Sequence, residues 1–381
     1  MPNFSGIWNL KEQVQAVAAG RWTGLPAFEL YAWGDNVQGE LGQGNVISRS
    51  SPVQVGALTN WAQVSAGDDH TACVTTAGAL FTWGKNALGQ LGQGNVDLYS
   101  SPVQVGSLIN WAQVSAGVRG RHTACVTTNG TLFTWGDNVQ GQLGQGNVIS
   151  RSSPVQVGAL TNWAQVSGDD HTACVTTAGA LFTWGKNSFG QLGQGNVISK
   201  SSPVQVGALT DWAQVSAGES FTVCVKTDGA LFAWGFNTLG SLGDGTQAFR
   251  SSPVQIGALT NWAQVSAGGV FVACTTTAGT LFTWGNNNRG QLGHGNSVRR
   301  SSPVQVGALT NWAQASAGSD SAACTTTAGT LFTWGNGANG RLGQGNVISR
   351  SSPVQVGALT NWAQASAGGD HTLAILQGVT S

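Results

Sequence analysis

The sequence predicts an all-β chain. It reads as a seven-bladed β-propeller of four-stranded antiparallel blades, closed by pairing the C-terminal strand with the first N-terminal strand. Three observations carry this: one unit recurs seven times, each unit reads as four short strands, and the two chain ends hold complementary parts of a unit. Trp-Gly pairs begin at Trp33, Trp83, Trp135, Trp184, Trp234, Trp284 and Trp334, at spacings of 50, 52, 49, 50, 50 and 50. The two odd spacings have visible causes. "SAGVRGRHT" around Arg119 carries two more residues than "SAGDDHT", and "VSGDDHT" at Gly168 has lost an alanine. Ser-Ser-Pro-Val-Gln and Trp-Ala-Gln recur with the same period. Units on so regular a period cannot each bury their own faces and must stack.

Within a unit, "HTACVTT" (His70 to Thr76) is rich in β-branched residues and reads as a strand. It turns through Ala77-Gly78; other copies place Asn129-Gly130 or Asp228-Gly229 there, the strongest two-residue hairpin signals. In the next strand Phe81 and Trp83 point one way and Leu80 and Thr82 the other, so both sheet faces carry bulk, as a sheet between two neighbours requires. After a glycine-rich loop comes "SSPVQVG", with proline placed at the strand start, where a missing donor is tolerated. "NWAQVSAG" completes the unit as its fourth strand. No helical period recurs across the repeats. "HTLAILQ" (His371 to Gln377) is a first strand without a second, and "ELYAWG" is a second without a first, so the two are expected to pair and seal the ring. Residues 28–381 are assigned to the propeller and residues 1–27 to an N-terminal arm or anchor. In that arm Leu10, Val14 and Val17 stand at helical spacing, and "QAVAAG" resembles "AQVSAG".

Composition narrows the function. Charged residues make up 8% of the chain and the formal net charge is zero, which lacks the electrostatic footprint of a general nucleic-acid binder. No apolar run approaches the ~18 residues that cross a bilayer. Lys11 and Glu12 interrupt the N-terminus where a signal peptide is most apolar. The expectation is therefore no nucleic acid, no membrane insertion and no export.

Candidate sites follow. "LFTWGKNALGQLGQGN" (Leu80 to Asn95) looks like a phosphate loop, but such a loop needs Gly-Lys-Ser/Thr directly before a helix. Here Lys85 precedes the glycines and becomes Asp35, Asp137, Phe236 or Asn286 in other copies. The glycines are read instead as permitting positive φ and close approach between blades. Cys73, Cys125, Cys174, Cys224, Cys274 and Cys324 fall one per unit, with Ala374 in the seventh place. They read as buried small apolar residues, and six free thiols favour a reducing compartment. His70, His122, His171 and His371 share a position that Phe221, Phe271 and Ser321 occupy elsewhere, so a hydrogen-bonded structural role is expected. No catalytic, cofactor-binding or metal-binding residue is predicted, because no nucleophile–base–acid set is unique. The chain is read as non-enzymatic.

The differences among the copies concentrate in two loops. One follows Ser-Ala-Gly, as at Asp68-Asp69 and Val118 to Arg121. The other precedes Ser-Ser-Pro and holds Arg49, Tyr99, Arg151, Lys200, Arg250, Arg300 and Arg350. In a closed ring these seven lie on one rim. They are the predicted binding residues, for an acidic protein or anionic glycan, against the plainer reading of a solvated loop that balances acidic positions elsewhere.

The run "LFTWGxNxxGQLGQG", followed by proline, "VSAG" and His-Thr, resembles the regulator-of-chromosome-condensation repeat family over nearly the whole chain. The resemblance implies the same propeller. Known members of that family include a nucleotide-exchange factor for a small GTPase, an ultraviolet-B photoreceptor and a β-lactamase inhibitor. The photoreceptor's key tryptophans correspond here to Asp69, Arg121, Asp170, Ser220, Val270, Asp320 and Asp370, which discounts light sensing. The leading expectation is a structural or binding module of a virion, a phage tail or fibre-associated protein assembled in the host cytoplasm among neighbouring virion proteins. Near-identical repeats, the missing export signal and the opening "MPNFSGIWNL", which resembles the starts of some marine phage structural proteins, motivate it. The alternatives are an exchange regulator of a small GTPase or an inhibitor that plugs a partner enzyme, the latter needing an export signal that the sequence lacks, and the alternative localisation is cytoplasmic.

Overall fold

The computed structural model describes residues 27–378. The arm expected at 1–27, with its helical spacing, lies almost wholly outside the described residues. The described chain forms seven four-stranded antiparallel sheets. The first blade runs from an inner strand, Trp61–Ala66, through His70–Thr75 and Leu80–Gly84 to an outer strand, Tyr99–Gln104. Five more blades repeat this order, with inner strands at Trp111–Ala116, Trp163–Gly168, Trp212–Ala217, Trp262–Ala267 and Trp312–Ala317. The seventh takes its two inner strands, Trp362–Ala367 and His371–Gln377, from one end of the chain. Its two outer strands, Phe28–Gly34 and Arg49–Gln54, come from the other end. The seam pairs Phe28 with Gln377 through to Gly34 with His371 without a break.

Two local expectations are corrected. Trp-Ala-Gln-Val-Ser-Ala is not the last strand of a unit but the innermost strand of the next blade. The exposed Gly-Ala-Leu-Thr-Asn link carries the chain from one blade's outer edge to the next blade's axis, so the sequence unit straddles two blades. Proline does not open the outer strand either. Arg49 pairs with Gly34 and Val53 with Ala32, and the register shift between them leaves Ser50 to Pro52 in a bulge. That bulge lies on an edge strand, where no neighbour asks for the missing N–H.

The core lies between blades. Leu30, Leu41, Val55 and Ile375 of the seventh blade pack against Trp61, Val64, Cys73 and Trp83 of the first. Phe81 joins that cluster, whereas Leu80 belongs to the next one, as the strand alternation requires. Trp61 meets Trp83 edge-on at 6.2 Å, a geometry worth about 0.5–1.5 kcal/mol beyond area burial. The six cysteines are buried free thiols in the same interfaces.

The glycine-rich loop is a strap to the next blade. Gly92 has φ +72°, and a Cβ there would stand 2.7 Å from Trp135 Nε1 of the following blade. The Trp135 indole donates to the Gln90 carbonyl at 2.9 Å, and the Gly94 N–H donates to the Ser152 carbonyl at 2.7 Å. Asn86 rigidifies the loop: its Oδ1 accepts from the Leu91 N–H at 2.9 Å and its Nδ2 donates to the Asn95 carbonyl at 3.1 Å.

The inner strands make a second circuit. Gln63 Oε1 accepts from the Val114 N–H at 2.8 Å, and Ser65 Oγ accepts from the Ala116 N–H at 2.9 Å. The same two bonds recur at all seven junctions, including Gln364 to Val64 and Ser366 to Ala66 across the seam. The inner-strand motif therefore alternates core residues (Trp, Val, Ala) with linking ones (Gln, Ser).

Candidate functional site: the charged face

Second strands begin, and third strands end, on one face of the disc, here called the upper face. Of the 16 basic and 16 acidic residues, Lys11, Glu12 and Arg21 lie outside the described residues. Of the rest, all but Glu29, Asp211, Lys226 and Asp228 fall on the upper half of the strands or in the loops above them. Lys226 and Asp211 pair with each other at 2.6 Å. The lower face is built from the turns and the Gly-Ala-Leu-Thr-Asn links and is nearly uncharged.

At the upper end of the axis the loops after Ser-Ala-Gly enclose a hollow of about 590 Å³ walled by Asp68, Asp137, Asp170, Glu219, Asp320 and Asp370, with Arg119, Arg121 and Lys186 set among them. The two-residue insertion in the second blade places Arg119 across this opening. Its Nε donates to Ser319 Oγ of the sixth blade at 2.9 Å, and its Nη1 lies 3.3 Å from Glu219 Oε2 of the fourth. Lys186 pairs with Asp170 at 2.6 Å, Lys85 with Asp69 at 2.5 Å and Arg341 with Asp370 at 2.6 Å. Burial, reinforced by Asp69 and Asp370, pushes the Asp68 carboxyl up to about 6. Asp169, wholly buried beneath the insertion, is held far above the usual carboxylate range by burial first and by Asp170 and Glu219 next.

The seven predicted binding residues open the outer strands, half-buried, at the periphery of this same face. Their local partners differ. Arg250 donates from Nε to Asp244 at 2.9 Å, Arg49 donates to Gln43 at 3.3 Å, and the Tyr99 hydroxyl accepts from Asn95 at 2.8 Å. Arg151, Arg300 and Arg350 hold an Nε with no protein partner. Lys200 completes the rim. The structure brings the seven onto one rim but not to one point. The sequence marks the loops that carry Arg119, Glu219 and Ser319 as variable but does not choose them as binding residues, and that the three meet at the axis is a finding of the structure. The two-residue insertion was the signal that could have singled them out.

Below the face lies a buried layer of histidine–threonine pairs. The His122 ring Nε2 lies 2.9 Å from Thr172 Oγ1, and Thr172 donates its own hydrogen to the Gln142 carbonyl at 2.7 Å. Nε2 must therefore carry the proton. His70, His171 and His371 repeat the pairing at 3.0, 2.7 and 2.9 Å. Burial drives all four rings down, to about 3 or 4, so they are neutral structural donors. Among the described residues no group of three or more His, Cys, Asp or Glu is placed to hold a metal ion.

Comparison with known proteins gives one consistent result. The family model described as RCC1-like domain matches residues 150–374. Models of the regulator of chromosome condensation (RCC1) repeat match residues 29–74 and 77–126, and again 61–90 and 111–142. Human E3 ubiquitin-protein ligase HERC2 is 31% identical over 133 residues, 34% of this chain but 3% of that protein. The ultraviolet-B receptor UVR8 of Arabidopsis thaliana is 33% identical over 159 residues, 40% of this chain and 35% of that one. The solved structure of Prp20p from Saccharomyces cerevisiae, reported with its binding properties to Gsp1p and histones, superposes with a TM-score of 0.82. It covers 94% of this chain and 93% of that one at 19% identity, a likeness of fold.

Proposed function

The chain belongs to the RCC1-like domain family, and from that premise we propose that it is a non-catalytic propeller that recognises a protein partner through its upper face, as a component of a virion. One observation carries the recognition role: blades that are otherwise near-copies differ from one another chiefly in the loops of the face that also holds nearly all the charge. Residues that only hold the ring together differ where both sides of a buried contact change together, as where Phe221 and Val272 stand in place of a histidine and a threonine. Residues that read a partner without sevenfold symmetry differ from blade to blade without that constraint. Prp20p, of the same fold, is itself a protein-binding propeller by the terms in which its structure was reported. The rim cations fit an acidic protein surface or an anionic glycan, and their field raises encounter rates with either.

The virion reading rests on the near-identity of the repeats and on the opening of the sequence. Under it, particles purified through a density gradient carry the chain at constant stoichiometry; recovery only as free chain from the cytoplasm overturns it. Under the recognition reading, the double change Arg151→Glu and Arg350→Glu weakens partner binding at least tenfold, while Leu309→Lys on the lower face leaves it unchanged. The reverse pattern moves the docking surface to the other face. A nucleotide-release assay tests the alternative of exchange on a small GTPase, for which the upper face offers no insertion longer than the two residues near Arg119.

A further inference from the structure

We propose that the junction between the third and fourth blades anchors the protein partner. An extended, uncharged segment of that partner sets one apolar side chain on a cluster of three phenylalanines and a second in the cleft beside it. This rests on the reading of the upper face as a protein-docking surface and names its apolar anchor. Phe189, in the glycine-rich loop of the third blade, meets Phe236 and Phe249 of the fourth edge-on, at 5.1 and 5.2 Å between ring centroids. Phe236 and Phe249 lie 5.4 Å apart, their planes tilted by 33°. Phe249 is 46% exposed and the other two are half-buried. The repeat does not call for these rings. The Phe236 position holds Asp, Lys or Asn in the other six blades, and the Phe249 position holds Ser in four, Leu98 in one and Arg299 in another. Among the described residues, the seven clusters that join blade to blade include none of the three.

The fourth blade gives up polar contacts to present them. Where Phe249 stands, Ser48, Ser150, Ser199 and Ser349 each accept a loop N–H at 3.1 or 3.2 Å. Where Phe236 and Ser220 stand, the third blade has the Lys186–Asp170 pair and the first the Lys85–Asp69 pair. Both members are neutral in the fourth blade, so the cluster is an uncharged island in the charged face. Beside it, between the same two blades, opens a cleft of about 430 Å³ lined by Val206, Leu209, Trp212, Phe232 and Pro253 and by no charged side chain. Ser252 borders that cleft three residues after Phe249, at most about 11 Å along the strand. Arg250, the charge between them, is already paired with Asp244 at 2.9 Å. A charged segment laid along this strip would shed its hydration without gaining a partner. An uncharged one buries hydrocarbon, and aromatic side chains are enriched at the buried centres of protein interfaces. A strip that runs from an exposed cluster into a cleft suits a flexible chain rather than a planar bilayer.

The test pans a random peptide display library on the full chain, then titrates the enriched peptides, made synthetically and fluorescently labelled, by anisotropy. The comparison variant carries Phe236→Lys, Phe249→Ser and Ser220→Asp, which copies the third blade's ion pair and serine bond and is expected to keep the wild-type melting temperature. Enriched peptides are expected to carry two large apolar side chains and no charge, and to bind the wild type at least tenfold more tightly than the variant. Failure to enrich any peptide, enrichment of charged peptides, or equal binding by the two chains overturns the anchor. A lower melting temperature with binding intact marks the cluster as packing and also overturns it. Leu209→Gln, at the exposed side of the cleft, decides if the triple variant does not fold: weaker peptide binding supports the anchor and unchanged binding overturns it. Cosedimentation with phosphatidylcholine vesicles that the triple change abolishes assigns the cluster to a membrane and overturns the protein partner. A chain whose rim variants lose the partner while its peptides ignore the triple change refutes the anchor alone. A chain that holds the peptides through the cluster while its rim variants keep the partner supports the anchor and removes the rim from the docking surface.

Discussion

The second strand of each blade opens with a residue that faces the next blade, and the ring fills this slot in two ways. In the seventh, first, second and third blades it is histidine, bonded to a threonine of the following blade. In the fourth and fifth it is Phe221 and Phe271, and the following blades answer with Val272 and Ala322, packed in the same clusters. In the sixth blade the slot holds Ser321, and the blade that follows carries Thr372 at the threonine position. The lesson is that the partners change together. A ring nitrogen in this buried layer needs a hydroxyl, and a phenyl ring needs a hydrocarbon. Each interface is consistent within itself, and mixing the two kinds is costly.

The largest effect should come from forcing the mixture. Phe271→His places an imidazole opposite Ala322, loses aromatic burial and strands a donor, so chemical denaturation should show a loss of about 3–5 kcal/mol. The double change Phe271→His with Ala322→Thr should recover part of it; no recovery breaks the pairing argument. In the polar sector, Thr172→Val leaves the His122 N–H unpaired and the Gln142 carbonyl with the Trp184 indole alone, and should cost about 1–3 kcal/mol. Adding His122→Phe should return most of that loss.

The two sectors also differ in their response to acid. The four histidines titrate near 6.5 when unfolded and near 3 to 4 in the ring, so below pH 6.5 the unfolded chain binds protons that the folded one refuses. Stability should fall as pH drops from about 6.5 toward 4, by at most about 1.4 kcal/mol per pH unit for each histidine. Replacing His171 and Thr222 together by Phe and Val should flatten the slope measured in urea melts by about one histidine's share. Glu40 acts in the opposite sense. Burial pushes its carboxyl up to about 7, so its contribution is lost as pH rises from about 4.5 through 7. Glu40→Gln, which copies the residue at Gln90 and Gln142, should raise stability at pH 8 and leave it nearly unchanged at pH 4. The smallest effect belongs to the surface. Lys85→Ala removes a half-exposed pair with Asp69 and should cost under about 1 kcal/mol, vanishing in high salt.

What could be read from the sequence was what the repeat repeats. Blade number, the sealing pair of strands and the purpose of the glycines all follow from sevenfold recurrence and simple sterics, and the Gly92–Trp135 contact bears out the last of them. A periodic sequence does not mark its own phase, however, so the Trp-Ala-Gln strand was grouped with the wrong neighbours. Once that strand is placed at the axis, its glutamine and serine become comprehensible as links; on an outer edge they would be ordinary polar residues. The loops of Arg119, Glu219 and Ser319 are legible as variable, but their mutual contact is not, because the three residues are 100 residues apart along the chain and only ring closure makes them neighbours. The rim cations were legible as a set because each blade repeats the position.

Because glutamine and serine hand their bonds from each inner strand to the next all the way round, the ring has no first blade in any energetic sense. The break between residues 378 and 27 is one opening among several that the architecture would tolerate. A chain in which residues 378 and 27 are joined by a linker and which is reopened within the exposed link at Ala258-Leu259 should fold to the same disc. Its termini would then emerge beneath the fourth and fifth blades, and the upper face would be untouched.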